Sequence, residues 1–548
     1  MSQMSFANLL IAFQILGGSG LLLYGIEVMK DSLELVTEGK TLRLLEMSRK
    51  STLKSIFAGM IVTMINQKST ATTVMVVGLV NAGMMSLVQA AGVIMGANIG
   101  TTVTAQLLAF RVELLAPCIV GVAVFFWKYT KSKKIEELAG IFVGAGIMFV
   151  GMIFIESALL PLLQYPSVQH FIRWSEDLSQ GGFILIILVG FLLTAVLRSS
   201  SVITGIMIAM SARGLLNLDA GLALILGINI GKCLTAVLAA RGATRTGKRA
   251  AVIHLLFNTF GAVLVVLFFR GWFEELLFFL SPVNVGRQIA NAHTLFNLGT
   301  AVICLPLVGR LVGLSGKIVP ARKQEVKADT SSLDVRMLET PGLALAQTNN
   351  EIAVMAELSL ELFDCSCKAV LTGAEKYVTR VEEEESNVIR MQKEIEVYLV
   401  KLSRRNISEA QHRSLNLMLG VTGDVERISD AAFTISKLAT FKKKNGIHLS
   451  EDAKKELTDL QELIMNVAEG LIPTIRNGDA QKANRLLSAE IKLGNMEETL
   501  RESHVERLNQ GVCNPGSGVL FLDMVGHMER VVDYMRRICF YVIDNDKY

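Results

Sequence analysis

Gly96-Ala97-Asn98-Ile99-Gly100-Thr101-Thr102-Val103-Thr104-Ala105 and Gly227-Ile228-Asn229-Ile230-Gly231-Lys232-Cys233-Leu234-Thr235-Ala236 are two copies of one segment, identical at six of ten positions and 131 residues apart. Asparagine is rare in apolar sequence, so chance does not produce such a match. Working outward, the same offset carries residues 63 to 109 onto 194 to 240 without a gap, placing Thr63 on Thr194, Ser69 on Ser200, Gly83 on Gly214 and Leu87 on Leu218. A weaker echo precedes each copy, with Gly18, Gly20 and Gly25 falling on Gly144, Gly146 and Gly151 at an offset of 126. Duplicated hydrophobic halves, interrupted by glycine or polar residues at corresponding places, mark a secondary transporter whose site lies between the repeats. The plainer alternative is a pair of helical hairpins held by small-residue packing.

The chain has 548 residues, of which 51% are apolar and 19% charged, with a mean hydropathy of +0.45. That is too apolar for an ordinary soluble protein, whose charged share is about a quarter. Hydrophobic runs such as Leu114 to Phe126, Ile141 to Leu163, Gly182 to Leu197 and Ala250 to Phe269 all precede residue 320. Leu9 to Tyr24 reads as a first membrane helix, since no basic region precedes it and no small-residue cleavage site follows. Basic clusters at Arg43 to Lys54, Lys128 to Lys134, Arg241 to Arg249 and Arg310 to Lys327 border these runs, as cytoplasmic loops do. Tyr165 to Gln180 lacks that excess and is the candidate external loop. Seven scattered cysteines make neither a disulfide framework nor a ligand set. A net charge of +4 over this length argues for no nucleic-acid partner.

Each repeat opens with a polar cluster: Gln67-Lys68-Ser69-Thr70-Ala71-Thr72-Thr73 in the first, Arg198-Ser199-Ser200-Ser201-Val202-Ile203-Thr204 in the second. Unsatisfied polar groups in hydrocarbon cost several kcal/mol each, so these side chains must line a polar cavity or pair with one another. A helix broken here presents free N–H groups and its positive dipole end, which suit an oxyanion. Unwound carbonyls and hydroxyl oxygens suit a small hard cation such as sodium. Gly-x-Asn-Ile-Gly, with two glycines, reads as a second break. Ser and Thr can also back-bond within intact helices, which accounts for one hydroxyl but not for two matched clusters.

These residues resemble the type II sodium-phosphate cotransporter family, whose marker is a Gln-Ser-Ser element in each of two inverted repeats, followed by Gly-Ala-Asn-Ile-Gly-Thr-Thr. The resemblance covers about residues 8 to 315, and bacterial members often end in a PhoU-like domain. It implies an all-α fold: a polytopic membrane bundle of two inverted repeats, about 8–127 and 136–315, with re-entrant or broken helices, then a soluble PhoU-like helical bundle. It implies phosphate symport driven by sodium, with Gln67, Ser69, Thr70, Thr73, Ser199, Ser200 and Ser201 as substrate or ion contacts and Asn98, Thr101, Thr102 and Asn229 in support. Lys68, Arg198 and Lys232 depart from the family pattern, where Ser, Gln and Thr are usual. Each departure adds positive charge. Intramembrane cations face a cavity or a partner, and a tethered ammonium or guanidinium can occupy a sodium position or hold phosphate oxygens. The expectation is anion transport with reduced or absent sodium coupling; the rival is that Lys68 and Lys232 snorkel to water at helix ends. His254-Leu-Leu-Phe-Asn258 is echoed by His293-Thr-Leu-Phe-Asn297, each pair sharing a helix face for interhelical hydrogen bonds or for proton handling.

Residues 1–320 therefore read as the membrane domain, 321–340 as a polar linker and 341–548 as a cytoplasmic helical domain, broken near Asn406, Asn445, Asn477 and Asn514-Pro515-Gly516. Leu415, Leu417, Met418, Val421, Val425, Ile428 and Ala432 recur at helical spacing with one buried face. Asp424-Val-Glu426-Arg427-Ile-Ser-Asp430 matches Gly526-His-Met-Glu529-Arg530-Val-Val-Asp533. Each has two carboxylates four apart on one face, which can ligate a metal through oxygen or form ion pairs. The pattern resembles the Glu-Arg-x-x-Asp stretches of PhoU proteins, which implies two three-helix units and metal at Glu426, Asp430, Glu529 and Asp533. Glu382 to Glu385 reads as a solvated face.

The expected function is secondary transport of inorganic phosphate across the plasma (inner) membrane by alternating access, with the lipid bilayer as surroundings, sodium as a coupling ion put in doubt by Lys68, Arg198 and Lys232, no cofactor apart from the metal open to the PhoU-like domain, and homo-oligomerisation open. The competing functions are a non-transporting membrane-tethered regulator and a carrier or exporter of another oxyanion. No nucleophile, base and oxyanion set or nucleotide-binding glycine loop argues for an enzyme.

Overall fold

The structure, a computed structural model, describes residues 3–37, 44, 51–81, 85–110, 115–176, 178–320, 333–339, 341–405, 407–509 and 515–546. Most of the expected linker lies outside the described residues, as do most of the Arg43 to Lys54 cluster, Gly83, Leu114, Asn406 and Asn514. Every regular element among the described residues is helical, and the chain divides into two compact units, Met1–Glu325 and Val326–Tyr548.

In the first unit, seven helical stretches are long and apolar enough to cross a membrane. The helices are α1 (Gln3–Val36), α2 (Thr52–Asn66), α3 (Ser69–Asn81), α4 (Leu87–Gly100), α5 (Thr102–Leu108), α6 (Ala116–Tyr129), α7 (Lys133–Leu159), α8 (Pro166–Glu176), α9 (Gln180–Leu197), α10 (Ser200–Ala212), α11 (Leu218–Ala239), α12 (Arg245–Leu264), α13 (Arg270–Leu280), α14 (Val285–Cys304) and α15 (Val308–Ile318). The hairpin arms α2, α3 and α10 fall short of spanning length, as does α6, whereas α9 is one of the seven. The second arms, α3 and α10, have 13 residues each, which at 1.5 Å per residue reach only about 20 Å, short of a hydrocarbon core about 30 Å thick. A hairpin with so short an arm does not complete two crossings, and within a bilayer its irregular backbone is tolerated only against protein or a polar cavity.

The glycines of the weaker echo set the relation between the halves. A Cβ on Gly25 would lie 2.6 Å from the Gly144 carbonyl oxygen, and one on Gly151 would lie 2.6 Å from that of Gly18. Gly18 therefore meets the counterpart of Gly25, and Gly25 meets the counterpart of Gly18. Equivalent helices α1 and α7 thus pack antiparallel about a local two-fold, so the repeats are inverted. The helical stripe of small residues permits this backbone approach.

The Gly-x-Asn-Ile-Gly segments correct the expectation of a second break. In the second repeat α11 runs unbroken through Gly227 and Gly231. In the first, Thr101 keeps helical angles (φ −58°, ψ −26°) between α4 and α5. These glycines serve packing against the first hairpin arm. A Cβ at Gly96 would stand 1.9 Å from the Ile56 carbonyl oxygen, and one at Gly227 2.1 Å from that of Ile187, its counterpart 131 residues on.

The second unit holds α16 (Pro341–Thr372), α17 (Glu375–Ser403), α18 (Glu409–Lys444), α19 (Glu451–Asn477), α20 (Ala480–Asn509) and α21 (Pro515–Asp546). α16 to α18 pack as one triplet and α19 to α21 as another, joined through α16 against α19 and α18 against α21. The stripe Leu415, Met418, Val421, Val425, Ile428 and Ala432 is buried along α18. The expected metal ligands do not assemble: no group of three or more His, Cys, Asp or Glu side chains gathers among the described residues. Glu529 is instead paired with Arg501 at 2.5 Å and Asp533 with Arg536 at 2.5 Å, so guanidinium groups occupy the acceptor oxygens. Glu426 and Asp430 remain as neighbouring carboxylates on α18. Burial, then the Asp430 charge, pushes the Glu426 carboxyl above its usual range.

Candidate functional site

The two polar clusters form hairpin tips of the same construction. α2 ends on Gln67 and α9 ends on Arg198, both left-handed at φ 53°. Each tip N–H is held by the carbonyl of a repeat-matched threonine, Thr63 at 2.8 Å and Thr194 at 2.9 Å. The second arm then begins at once, with Ser69 opening α3 and Ser200 opening α10. Ser199 caps α10, its Oγ accepting from the Val202 N–H at 3.5 Å. The tight reversal leaves the first-turn N–H groups of both second arms without helical carbonyls to bond.

Both tips border one cavity of about 180 Å³. Gln67, Lys68, Ser69 and Thr70 come to it from the first repeat, Arg198, Ser199, Ser200 and Ser201 from the second, and Lys232 from α11. Two helix N-termini and several hydroxyls thus point their positive dipole ends and donors at a single space. The charge balance is lopsided. Lys30, Lys68, Arg198 and Lys232 line the wall, while Glu27 is the only carboxylate there among the described residues. Lys30 is engaged with Asp31 and Glu34, each at 3.5 Å. Lys232 is 1% exposed in the middle of α11, so it does not snorkel, and its Nζ has no acceptor among the described residues. Lys68 and Arg198 are exposed within the open part of the site.

The tips differ in one respect that follows from side-chain chemistry. Gln67 is tied down, its Oε1 accepting from Thr104 Oγ1 at 2.6 Å while its Nε2 donates to the Met64 carbonyl. Arg198 stands at the equivalent place opposite Thr235, the counterpart of Thr104, and both line the cavity. A guanidinium has no acceptor to offer that hydroxyl.

The remaining expected residues are not on the wall. Thr73 Oγ1 donates to the Ser69 carbonyl at 2.8 Å, Thr102 Oγ1 to that of Ile99 at 2.7 Å, and the Asn98 and Asn229 amides to carbonyls one turn back at 2.8 Å. They are buried neighbours of the site, with the Asn98 and Asn229 Oδ1 atoms and Thr101 Oγ1 left unpartnered. Four polar wall positions were missed, Glu27 and Lys30 of α1, Thr194 and Thr235, besides the apolar Leu23 and Ile26. The threonines carried a readable signal, since each keeps its identity across the 131-residue offset. The α1 charges interrupt an otherwise apolar helix, which is a signal of the same kind.

Comparison with known proteins agrees with this geometry. The Na+/Pi-cotransporter family model matches residues 21–157 and again 171–308, one match per repeat. The PhoU domain model matches residues 352–439. The chain is 24% identical over 542 residues, 98% of each chain, to YjbB of Escherichia coli (strain K12), whose name proposes it as an inorganic phosphate export protein. It is 31% identical over 274 residues to YqeW of Bacillus subtilis (strain 168), covering 49% of this chain and 86% of that one; that name assigns no role. It is also 24% identical over 200 residues, 36% of this chain and 85% of the relative, to a phosphate-specific transport system accessory protein PhoU homolog of Thermotoga maritima. Because that family model matches residues 21–157 and 171–308, just over half of the chain, the chain belongs to the Na+/Pi-cotransporter family.

Proposed function

We propose that the membrane unit carries inorganic phosphate through the cavity between the two hairpin tips by alternating access, with fixed positive charge taking over part of the role of sodium. The observation that supports this is the meeting of two repeat-related helix N-termini and three non-family cations, Lys68, Arg198 and Lys232, on one small cavity. A tetrahedral oxyanion matches converging N–H and O–H donors, and guanidinium and ammonium groups add charge-assisted bonds about twice as strong as neutral ones. The name of YjbB points to the same substrate. Because the repeats are inverted, rocking one against the other opens the shared site to either side in turn.

Sodium dependence is accordingly weak or absent. Purified protein in liposomes should move radiolabelled phosphate without a sodium gradient, and Ser69→Leu or Ser200→Leu should stop it by filling the site. Flux that rises steeply and only with sodium would refute the substitution of fixed charge for sodium. No phosphate flux under any gradient would instead favour a membrane-tethered regulator. The remaining assignments belong to the same reading: membrane domain 1–320, linker 321–340, and a PhoU-like domain 341–548 in the cytoplasm that senses or gates. Basic clusters leading into that tail support the orientation.

A further inference from the structure

Lys232 is the one wall cation held in a closed, low-dielectric setting, and its surroundings can be enumerated. α11 packs against α3, α8, α9, α10, α12 and α14. α3, α9 and α10 carry no titratable side chain, and α8 carries His170, Arg173 and Glu176 in the connector between the halves. α12 brings His254, besides Arg245, Lys248 and Arg249 at its start. α14 brings His293, besides Arg287, which stacks on Phe110. On α11 itself Asp219 is engaged by Arg270, and the cavity wall adds Glu27, Lys30, Lys68 and Arg198.

The two imidazoles are 0% and 2% exposed, and neither ring nitrogen of either has a hydrogen-bond partner among the described residues. Both sit on helices, α12 and α14, that pack against α11. Cys233 Sγ lies 3.3 Å from the Asn229 carbonyl and 3.5 Å from the His254 carbonyl, which sets the His254 turn of α12 against α11. Asn229, one turn before Lys232, and Asn258, whose amide donates to Cys233 Sγ at 3.3 Å, each leave Oδ1 without a donor. Unpartnered donors and acceptors in such a cluster are the ordinary lodging of buried water. Burying an ammonium without a protein acceptor is costly, and an anion in the cavity that Lys232 lines offsets that cost.

We infer that Lys232, backed by His254 and His293, is a proton site coupled to occupancy of the cavity, so that phosphate and a proton cross the membrane together. This rests on the phosphate-carrier function proposed above. When phosphate enters, a hydronium O–H bond breaks, its proton bonds to the Nζ lone pair, water is left behind, and the resulting ammonium faces the anion. When phosphate leaves on the other side, that N–H bond breaks and the proton passes to an imidazole and then to water. By linkage, an anion that favours the charged lysine must take up protons as it binds.

The test uses full-length protein in sodium-free buffers, with inorganic phosphate as the probe. Proton uptake on phosphate binding is read by calorimetry in buffers of different ionisation enthalpy, and phosphate accumulation in liposomes is read under an imposed pH gradient. Wild type should accumulate phosphate along the pH gradient and reverse when the gradient is reversed. Lys232→Arg, which keeps its charge permanently, should still bind phosphate but lose the lysine's share of proton uptake and at least tenfold of the gradient-driven accumulation. His293→Gln should slow accumulation while leaving phosphate binding within twofold, a readout that remains if the lysine variant fails to fold. Wild-type phosphate exchange that ignores the pH gradient, or Lys232→Arg that matches wild type in both assays, would overturn the proton site while leaving the carrier intact. Absence of phosphate exchange in wild type would overturn both.

Discussion

Gln67 and Arg198, 131 residues apart, share one backbone conformation, φ 53° with ψ 7° and 18°, and are the only non-glycine residues of positive φ among the described residues. The left-handed region costs an L-residue roughly 1–2 kcal/mol, yet neither position is glycine. The strain is kept because the tip needs a side chain there: an amide that ties the first hairpin to Thr104, and a guanidinium that lines the cavity in the second.

Replacing Arg198 should therefore separate stability from transport. Arg198→Gly is expected to unfold at a higher temperature than Arg198→Ala, by the equivalent of about 1 kcal/mol, because glycine adopts this conformation without strain. Both should lose phosphate transport alike. Thermal unfolding in detergent beside flux in liposomes reads the two effects; an alanine variant as stable as the glycine one would remove the strain argument.

Arg198→Gln rewrites the second tip with the residue of the first. Loss of a charge-assisted bond worth about 1.5–3 kcal/mol should raise the phosphate KM about tenfold or more. Arg198→Lys should recover part of it, since charge returns without the bidentate fork. Sodium should also stimulate the glutamine variant more than wild type. KM values measured with and without sodium decide this, and an unchanged KM would take Arg198 off the substrate.

Close packing of the repeated glycines makes an opposite pair of expectations. Gly96→Ala and Gly227→Ala each drive a Cβ to within 1.9 and 2.1 Å of a carbonyl oxygen, so each should destabilise the protein by about 1–3 kcal/mol, the usual range for overpacking. Gly20→Ala meets nothing within 4 Å and should stabilise α1 by up to about 1 kcal/mol through helix propensity. Melting temperatures of the three variants, in one detergent, test the ordering.

In the second unit, Glu426 contributes to the pH dependence. Burial first and Asp430 second raise its pKa in the folded state. Such a group favours folding below its unfolded pKa and loses that contribution as pH rises through the folded value. At neutral pH the ionised carboxylate therefore opposes the fold. Glu426→Gln should raise the melting temperature of the full-length protein at pH 7, with the gain shrinking to nothing as pH falls below the usual glutamate range. A gain of the same size at acid pH would point to packing in place of charge.

The duplication was legible because it is written in residues that hydrocarbon does not tolerate by accident. Asn98 and Asn229, Ser69 and Ser200, Thr63 and Thr194 all stand out against apolar neighbours, and a constant offset needs no structure to be seen. The polar clusters also read correctly as places where a helix breaks. The glycines of Gly-x-Asn-Ile-Gly did not. A glycine that permits a break and one that permits close approach look alike along the chain, and only the position of the Ile56 and Ile187 carbonyls tells them apart. The carboxylates of α18 and α21 misled for a related reason: spacing four apart puts Glu529 and Asp533 on one face, but Arg501, from a different helix, and Arg536, one turn along α21, are what neutralise them.

What the sequence determined by itself was therefore the membrane class, the two copies, the polar tips and the excess of positive charge, because composition and periodicity are properties of a single strand of residues. Only the tertiary structure decided that α1 and α7 run antiparallel, that both tips close on one cavity, and that Lys232, His254 and His293 are all buried. Those facts depend on which distant helices come within van der Waals contact, and burial of a charge is a property of all the neighbours at once.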